Sequence, residues 1–391
     1  MTRTYLNGLG IINALGCGCE AVGSGLAAGD TEGVRDWPRP VAGRVVRAAQ
    51  VTSPLPAIPA ALSEYDSRNN RLLQAAVDQL RPQIHAALNR HGPDRVGIVL
   101  GTSTAGIGEG ERAFKAWGRD GALPANYDYR QQEISSPSEY LRRALGVTGP
   151  AWTVSTACTS SAKAFVSARR LLRLGFCDAV IVGGADSLCS LTLEGFAALE
   201  SLSTGICNPM SRNRDGITIG EGAALFLMSH DPGPAWLMGA GESSDAYHIS
   251  GPDPEGRGAE LAMRAALKDA TLEARDVDYL NLHGTGTLQN DLMESHAVER
   301  VFGARLPCSS TKPLVGHMLG TAGATELAFC WLLVTANGET PLPPHIWDGA
   351  RDPTLAELAL CARGLTRRCR VAASNSFAFG GSNACLVLGA A

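Results

Sequence analysis

One cysteine, Cys158, sits in "WTVSTACTSSAKAFVSARRLL", residues 152–172, among small and hydroxylated residues. An apolar, β-branched stretch precedes it and a helix-like run follows. A thiol at the junction of a strand and a helix meets the unpaired N–H groups of the first helical turn, whose field favours the thiolate. The backbone N–H of Cys158 would there point at a developing oxyanion. This is the geometry of a nucleophile elbow, although the chain carries no GxSxG. Taken alone, the segment fits a small inert thiol buried as a hydrophobe equally well.

Three later segments add chemistry. "NLHGTGTLQNDLME", residues 281–294, places His283 after an apolar strand and at the opening of a Gly-Thr-Gly-Thr turn. An imidazole there faces a cleft, with a backbone-satisfied core histidine as the alternative. Thr285 and Thr287 offer hydroxyls to a substrate amide or carbonyl, and Asp291 and Glu294, three apart, share a helix face. "STKPLVGHMLGTAGATELAFCWLLV", residues 310–334, carries Lys312, His317 and Glu326, punctuated by Gly316, Gly320 and Gly323. Glycine at that density permits close backbone approach to a helix or ligand. Lys312 reads as a surface charge or as a buried ion-pair partner of Asp291, Glu294 or Glu326. "SNSFAFGGSNACLVL", residues 374–388, flanks Ala378 with Phe377 and Phe379 before Gly380-Gly381. Such a turn can aim a backbone N–H into a cleft that Phe379 covers. A β-turn with core phenylalanines is the plainer alternative.

The positioning elements follow from apolar periodicity. "RVGIVLGTS" (95–103), "AVIVGGADS" (179–187) and "VDYLNLHGTG" (277–286) read as buried strands running into glycine turns. Helix-like stretches fall at 69–90, 158–174, 258–270 and 291–302. Alternation of this kind predicts an α/β fold with sheets covered on both faces. "YLNGLGIINALG" near the start echoes "AWLMGAGESSDA" at 235–246, and "AVIVGGADS" echoes the terminal "ACLVLGAA". Two copies of one unit, 1–230 and 231–391, would explain both echoes, with "DPGP" at 231–234 as the boundary. Residues 30–60 and 105–140 read as irregular excursions, the second a functional loop or an oligomer contact.

Composition excludes several classes. In 391 residues, 45% are hydrophobic and 18% charged, with a net charge of −4. That balance gives no electrostatic case for nucleic acid. No apolar run reaches the length of a membrane span, and the N-terminus lacks a secretory h-region. Eleven scattered cysteines then read as reduced thiols of a cytoplasmic protein. "CGC" at 17–19 lacks the spacing of a zinc half-site, so no metal is expected.

Together, TACxSS, HGTGTxxxDxxE, KxxxGHxxGxAGxxE and NSFxFGGxN, in this order, resemble the β-ketoacyl-acyl carrier protein synthases, condensing enzymes of the thiolase superfamily. The likeness spans nearly the whole chain. It implies a dimeric thiolase fold, each subunit two duplicated α/β halves in five αβαβα layers. It also implies a decarboxylative Claisen condensation of malonyl-acyl carrier protein with an acyl chain held on Cys158. In that scheme His283 and His317 bind the malonyl carbonyl and stabilise the enolate, and Lys312 organises the site. Asp291, Glu294 and Glu326 form an acidic network. Thr285 and Thr287 hold the pantetheine arm, and Phe379 gates the site and completes an oxyanion hole with Cys158. Phe377 and Gly380 fall with the substrate-binding residues. No cofactor is implied beyond the phosphopantetheine that the acyl carrier protein brings.

The chain departs from the family pattern at Ala378, where glycine is usual, and at Thr321, where alanine is usual. The 201–222 loop is short, with Met210-Ser211 in place of Phe-Asp. The shortened loop and "GITIGEGAALFLM" are similar to the specialised synthases of aryl-polyene or polyketide pathways. A homodimer and a heterodimer with a chain-length-factor-like homologue both remain open. A biosynthetic thiolase would need a second catalytic cysteine, and the late candidate, Cys385, lies within the terminal strand. An inactive scaffold subunit would lack Cys158. A Rossmann dehydrogenase is disfavoured by the glycine spacing of "NGLGIINALG".

Overall fold

A computed structural model describes residues 2–391. Ten strands form two matching sets of five. The first set is β1 (Tyr5–Asn13), β2 (Val96–Gly101), β3 (Ala151–Val154), β4 (Ala179–Asp186) and β5 (Gly222–Ser229). They lie side by side as β3-β2-β4-β5-β1. The second set is β6 (Ala235–Ser244), β7 (Tyr279–Asn281), β8 (Pro307–Ser309), β9 (Val371–Ala378) and β10 (Ser382–Ala390), in the order β8-β7-β9-β10-β6. Pairing directions also match. In each set the first two junctions are parallel and the last two antiparallel. Two residue pairs, Tyr5↔Trp236 and Leu6↔Ala235, join β1 to β6 and make one continuous sheet.

Five helices complete the layers: α1 (Arg68–His91), α2 (Ser160–Arg173), α3 (Arg257–Ala270), α4 (Leu288–Phe302) and α5 (Ala322–Val334). Helix α1 covers the outer face of the first set, where Leu72, Ala76 and Leu80 pack with Ile98, Ile181 and Leu225. Helices α3 and α4 cover the second set through Met263, Ala266 and Val298. The central layer is α2 and α5, sharing one core with residues of both sets. Accordingly α5, "AGATELAFCWLLV", is apolar nearly all round and eleven of its residues are buried. The expected αβαβα layering is present.

Some expectations change. The 105–140 excursion holds a helix over Ile107–Asp120, and a second helix, Ser136–Leu145, begins inside its end. Gly108, Gly110 and Ala113 are the buried face of the first helix. Within residues 30–60, Val34–Asp36 and Arg47–Ala49 are short strands that join Ile219–Gly220 in a small sheet. The strand foreseen to run into a glycine turn within 277–286 does so, although its regular part is only Tyr279–Asn281 before the backbone turns at Gly284 and Gly286. The second echo is mispaired. By sheet position, 179–186 corresponds to 371–378, and the terminal strand corresponds to 222–229. Apolar composition alone cannot separate neighbouring central strands.

The duplication sets the site's place. Cys158 lies between β3 and α2, and His317 lies between β8 and α5. These are equivalent turns, and the two central helices bring them together. Close packing makes this possible: a Cβ on Gly101 would stand 2.2 Å from the Ser161 nitrogen at the start of α2.

Candidate active site

Cys158 sits on the turn before the helix, which begins at Ser160, not within it. Its neighbour Ala157 has φ +50°, a left-handed conformation that costs energy outside glycine. Three contacts hold that turn. Ser160 Oγ donates to the Ala157 carbonyl at 2.5 Å, the Thr156 N–H donates to Ser160 Oγ at 2.9 Å, and Ser103 Oγ donates to the same carbonyl at 3.4 Å. The strain presents Sγ to the other half of the molecule, where His317 Nε2 stands at 3.0 Å. The His283 ring lies edge-on to His317, with centroids 5.2 Å apart, and edge-on to Phe377 at 5.9 Å. Metal-ligand atoms of Cys158, His283 and His317 lie within 4.8 Å of one another, so the set is also one that can ligate a soft cation.

Behind the histidines is a buried ion pair. Lys312 Nζ donates to Glu326 Oε1 at 2.5 Å, to the His283 carbonyl, and to His283 Nδ1 at 3.4 Å. An ammonium can only donate, so this contact leaves the imidazole proton on Nε2, the edge turned away from the lysine. Of the three acids offered to Lys312 by the sequence, only Glu326 bonds it. Glu294 instead accepts from the N–H groups of His283 at 2.7 Å and Gly284 at 2.6 Å, and from Asn375 Nδ2 at 3.3 Å. Asp291 accepts from Gly286 and Met210, at 3.2 and 2.8 Å. The two carboxylates therefore clamp the HGTG turn and tie the short 201–222 loop to it. Burial raises Glu326 and Glu294 each to about 7, against the pull of Lys312 and the donated N–H groups. Glu294→Gln puts an amide N–H against a turn that supplies only donors. It is expected to cost about 1–3 kcal/mol in urea unfolding and to lower turnover with it.

Burial also decides protonation of the reacting groups. Desolvation, with Lys312 adding to it, holds His283 and His317 well below 6.5, so both are neutral at physiological pH. The resident thiolate anticipated from the helix field is not met. Burial pushes the Cys158 thiol up to about 12, outweighing the nearby Lys312 charge and the Phe379 N–H. The resting pair is thiol and neutral imidazole.

Cys158, both histidines, Thr285, Thr287, Phe377 and Phe379 line one cavity of about 390 Å³, together with Phe196, Leu199, Ile217 and Leu288. Thr287 also caps α4 by accepting from the Asn290 N–H at 3.4 Å, and its hydroxyl lies 3.0 Å from that of Thr285. The Phe379 ring is partly exposed and rests 5.6 Å from the Phe196 ring. Gly380 is not a wall residue, because its N–H is donated to the Ile249 carbonyl at 2.8 Å. Sequence reasoning passed over Phe196 and Leu199, which no local motif marks, and Asn383, whose amide bonds Asp245 at 2.7 Å. It also passed over Asp186, the end of an apolar strand.

The Beta-ketoacyl synthase, N-terminal domain family matches residues 46–232, and the Beta-ketoacyl synthase, C-terminal domain family matches residues 235–345. The chain belongs to the β-ketoacyl synthases. A 3-oxoacyl-[acyl-carrier-protein] synthase 2 of Rhizobium meliloti is 33% identical over 99% of both chains. Nodulation protein E of the same organism is 34% identical over 80% of this chain and 79% of its own. Among solved structures, the ketosynthase ApeO, in complex with its chain length factor ApeC from Xenorhabdus doucetiae, matches with TM-score 0.95 and 43% identity. That match covers 100% of this chain and 98% of the other. The ishigamide ketosynthase/chain length factor matches with TM-score 0.90 and 27% identity, over 100% and 99%. This β-ketoacyl synthase has no helix, among its described residues, long and apolar enough to cross a membrane.

Proposed function

We propose that this chain is the catalytic ketosynthase of a carrier-protein-dependent elongation system, with Cys158 as the acyl-bearing nucleophile. The observation that carries the reading is His317 Nε2 at 3.0 Å from Cys158 Sγ, inside a cavity walled by aromatic and aliphatic side chains. In the first half-reaction Sγ attacks the acyl thioester while His317 Nε2 takes the thiol proton. The carbonyl oxygen gathers charge against the N–H groups of Cys158 and Phe379. As the C–S bond to the pantetheine breaks, the proton passes to the departing thiolate, and the imidazole is neutral again.

In the second half-reaction the malonyl thioester enters along Thr285 and Thr287. Once Sγ is acylated, exchange with solvent moves the His317 proton from Nδ1 to Nε2, and loss of CO₂ leaves an enolate whose oxygen accepts from the Nε2–H groups of His283 and His317, a pair of donors each worth roughly 3 kcal/mol. Its carbon attacks the acyl-Cys158 carbonyl, the C–S bond breaks, and the released thiolate takes a proton from solvent. Phe379, packed on Phe196 at the cavity wall, gates access. Lys312, with Glu326, and the clamps of Asp291 and Glu294 hold this array. Residues 1–230 would then be the half that carries the nucleophile, and 231–391 the half that carries both histidines.

For the partner, the reading is a heterodimer with a chain-length-factor-like homologue. The likeness to ApeO, solved with such a subunit, supports it. So does a surface rich in exposed aromatic side chains, Phe114, Trp117 and Tyr129, close in sequence to one another, with Trp152 on the edge strand β3. Co-expression with a homologue lacking the nucleophile should give a stable 1:1 complex by light scattering; a monodisperse homodimer that elongates unaided would overturn it.

The test of the reaction is to incubate the protein with a panel of acyl-carrier proteins, locate the adduct by peptide mass, and follow CO₂ release from malonyl carrier. An adduct on any residue but Cys158 would reject the assignment. A pH profile adds a second check. Imidazoles held well below their ordinary value predict no imidazolium NMR signal from His283 or His317 between pH 8 and 6, even where CO₂ release falls as Glu294 and Glu326 take up protons near 7. An unshifted histidine would lose about half its working form near pH 6.5.

A further inference from the structure

Asp186 is wholly buried, has no cation bonded to it, and takes no part in the chemistry above. Six donor groups converge on its two oxygens, one of them, Thr102 Oγ1, sharing its single proton with the Ala185 carbonyl at 2.8 Å. Oδ1 accepts from Thr102 Oγ1 at 2.9 Å, the Ser103 N–H at 2.7 Å, the Thr104 N–H at 2.7 Å and Thr104 Oγ1 at 2.8 Å. Oδ2 accepts from the Thr321 N–H at 2.7 Å and Thr321 Oγ1 at 2.9 Å. The first group belongs to the turn after β2, and the second to the turn that carries His317.

These two turns hold the reacting pair. Ser103, whose N–H is fixed by Asp186, also bonds the carbonyl of strained Ala157, the residue before the nucleophile. On the other side, Thr321 lies four residues beyond His317, and Leu319 between them has φ +47°, a second left-handed position. The turns touch directly, since a Cβ on Gly320 would lie 2.6 Å from the Thr102 carbonyl carbon. One carboxylate thus braces two strained turns from different halves of the chain, one behind the sulfur and one behind the imidazole.

We infer that Asp186 is a positioning residue that sets the distance between Cys158 Sγ and His317 Nε2, with the Thr321 hydroxyl as its handle on the histidine turn. The inference rests on the condensing-enzyme reading above. It also gives the departure at Thr321 a purpose, because alanine would offer Asp186 only the backbone N–H. Six donors cannot be matched by an amide, so the site needs the carboxylate itself.

The test compares wild type with Thr321→Val, Thr321→Ser and Asp186→Asn. It measures condensation kcat, KM for malonyl carrier, thermal midpoint, and the rate of iodoacetamide alkylation mapped to the Cys158 peptide at fixed pH. Thr321→Val is expected to slow both kcat and alkylation by about tenfold, with KM within about twofold, and Thr321→Ser to recover most of the loss. Asp186→Asn is expected to lose about a hundredfold where it folds. Thr321→Val matching wild type in both rates, or Thr321→Ser as impaired as Thr321→Val, overturns the inference. Alkylation needs no acyl substrate. Should wild type fail to condense, the function fails while alkylation still reports the geometry.

Discussion

Replacing Cys158 with alanine is expected to abolish the acyl adduct and to lower condensation by at least about a thousandfold. Without the sulfur, the acyl chain has no covalent station inside the cavity, and the enolate has no acceptor held beside it. Binding does not supply a substitute, because the second acyl thioester would have to occupy the passage that the malonyl arm needs. The fold should tolerate the change, since alanine keeps Cβ and the turn is held by Ser103 and Ser160 rather than by Sγ. Intact mass and turnover, measured on protein of unchanged circular dichroism, decide it. An adduct persisting in Cys158→Ala would remove the nucleophile from that position.

Lys312→Ala is the second large effect, and it is mainly one of stability. Lys312 is fully buried, and its departure leaves the Glu326 carboxyl and the His283 carbonyl without their donor. Breaking a buried pair from one side costs about 3–5 kcal/mol, which urea unfolding would register directly. Activity should vanish with it, because His283 Nδ1 loses the contact that keeps its proton on Nε2. The double variant Lys312→Met with Glu326→Leu separates the two roles. Apolar replacement of both partners should restore most of the stability and none of the turnover. Recovery of condensation in the double variant would show that the lysine serves packing alone.

The residues that the proposed chemistry uses were legible because each rests on a short local pattern. Cys158, His283, His317 and Lys312 all follow apolar strands and precede helices or glycine turns, a grammar that periodicity exposes. What escaped depends on distance. Nothing in "GGADS" announces that Asp186 gathers donors from residues 102–104 and 321. Phe196 and Phe379 meet at the cavity wall from positions 183 residues apart. The helix over Ile107–Asp120 was missed because the aromatic and polar mix of "GALPANYDYRQQEISSPSEY", which begins just after it, set the reading of the whole 105–140 segment. A sequence displays the helix field that favours the Cys158 thiolate and hides the depth of burial that opposes it.

Strand β1 has a consequence for biogenesis. Beyond the short hairpin that Ile12 and Asn13 make with Cys17 and Gly16, its partners in the sheet are residues 223–229 on one side and 235–236 on the other, so it leaves the ribosome more than two hundred residues ahead of them. At roughly 5–20 residues per second, residues 5–11 wait about ten to forty seconds without a partner strand. An unpaired apolar edge invites intermolecular pairing, so heterologous yield should depend on holdase capacity and improve at low temperature.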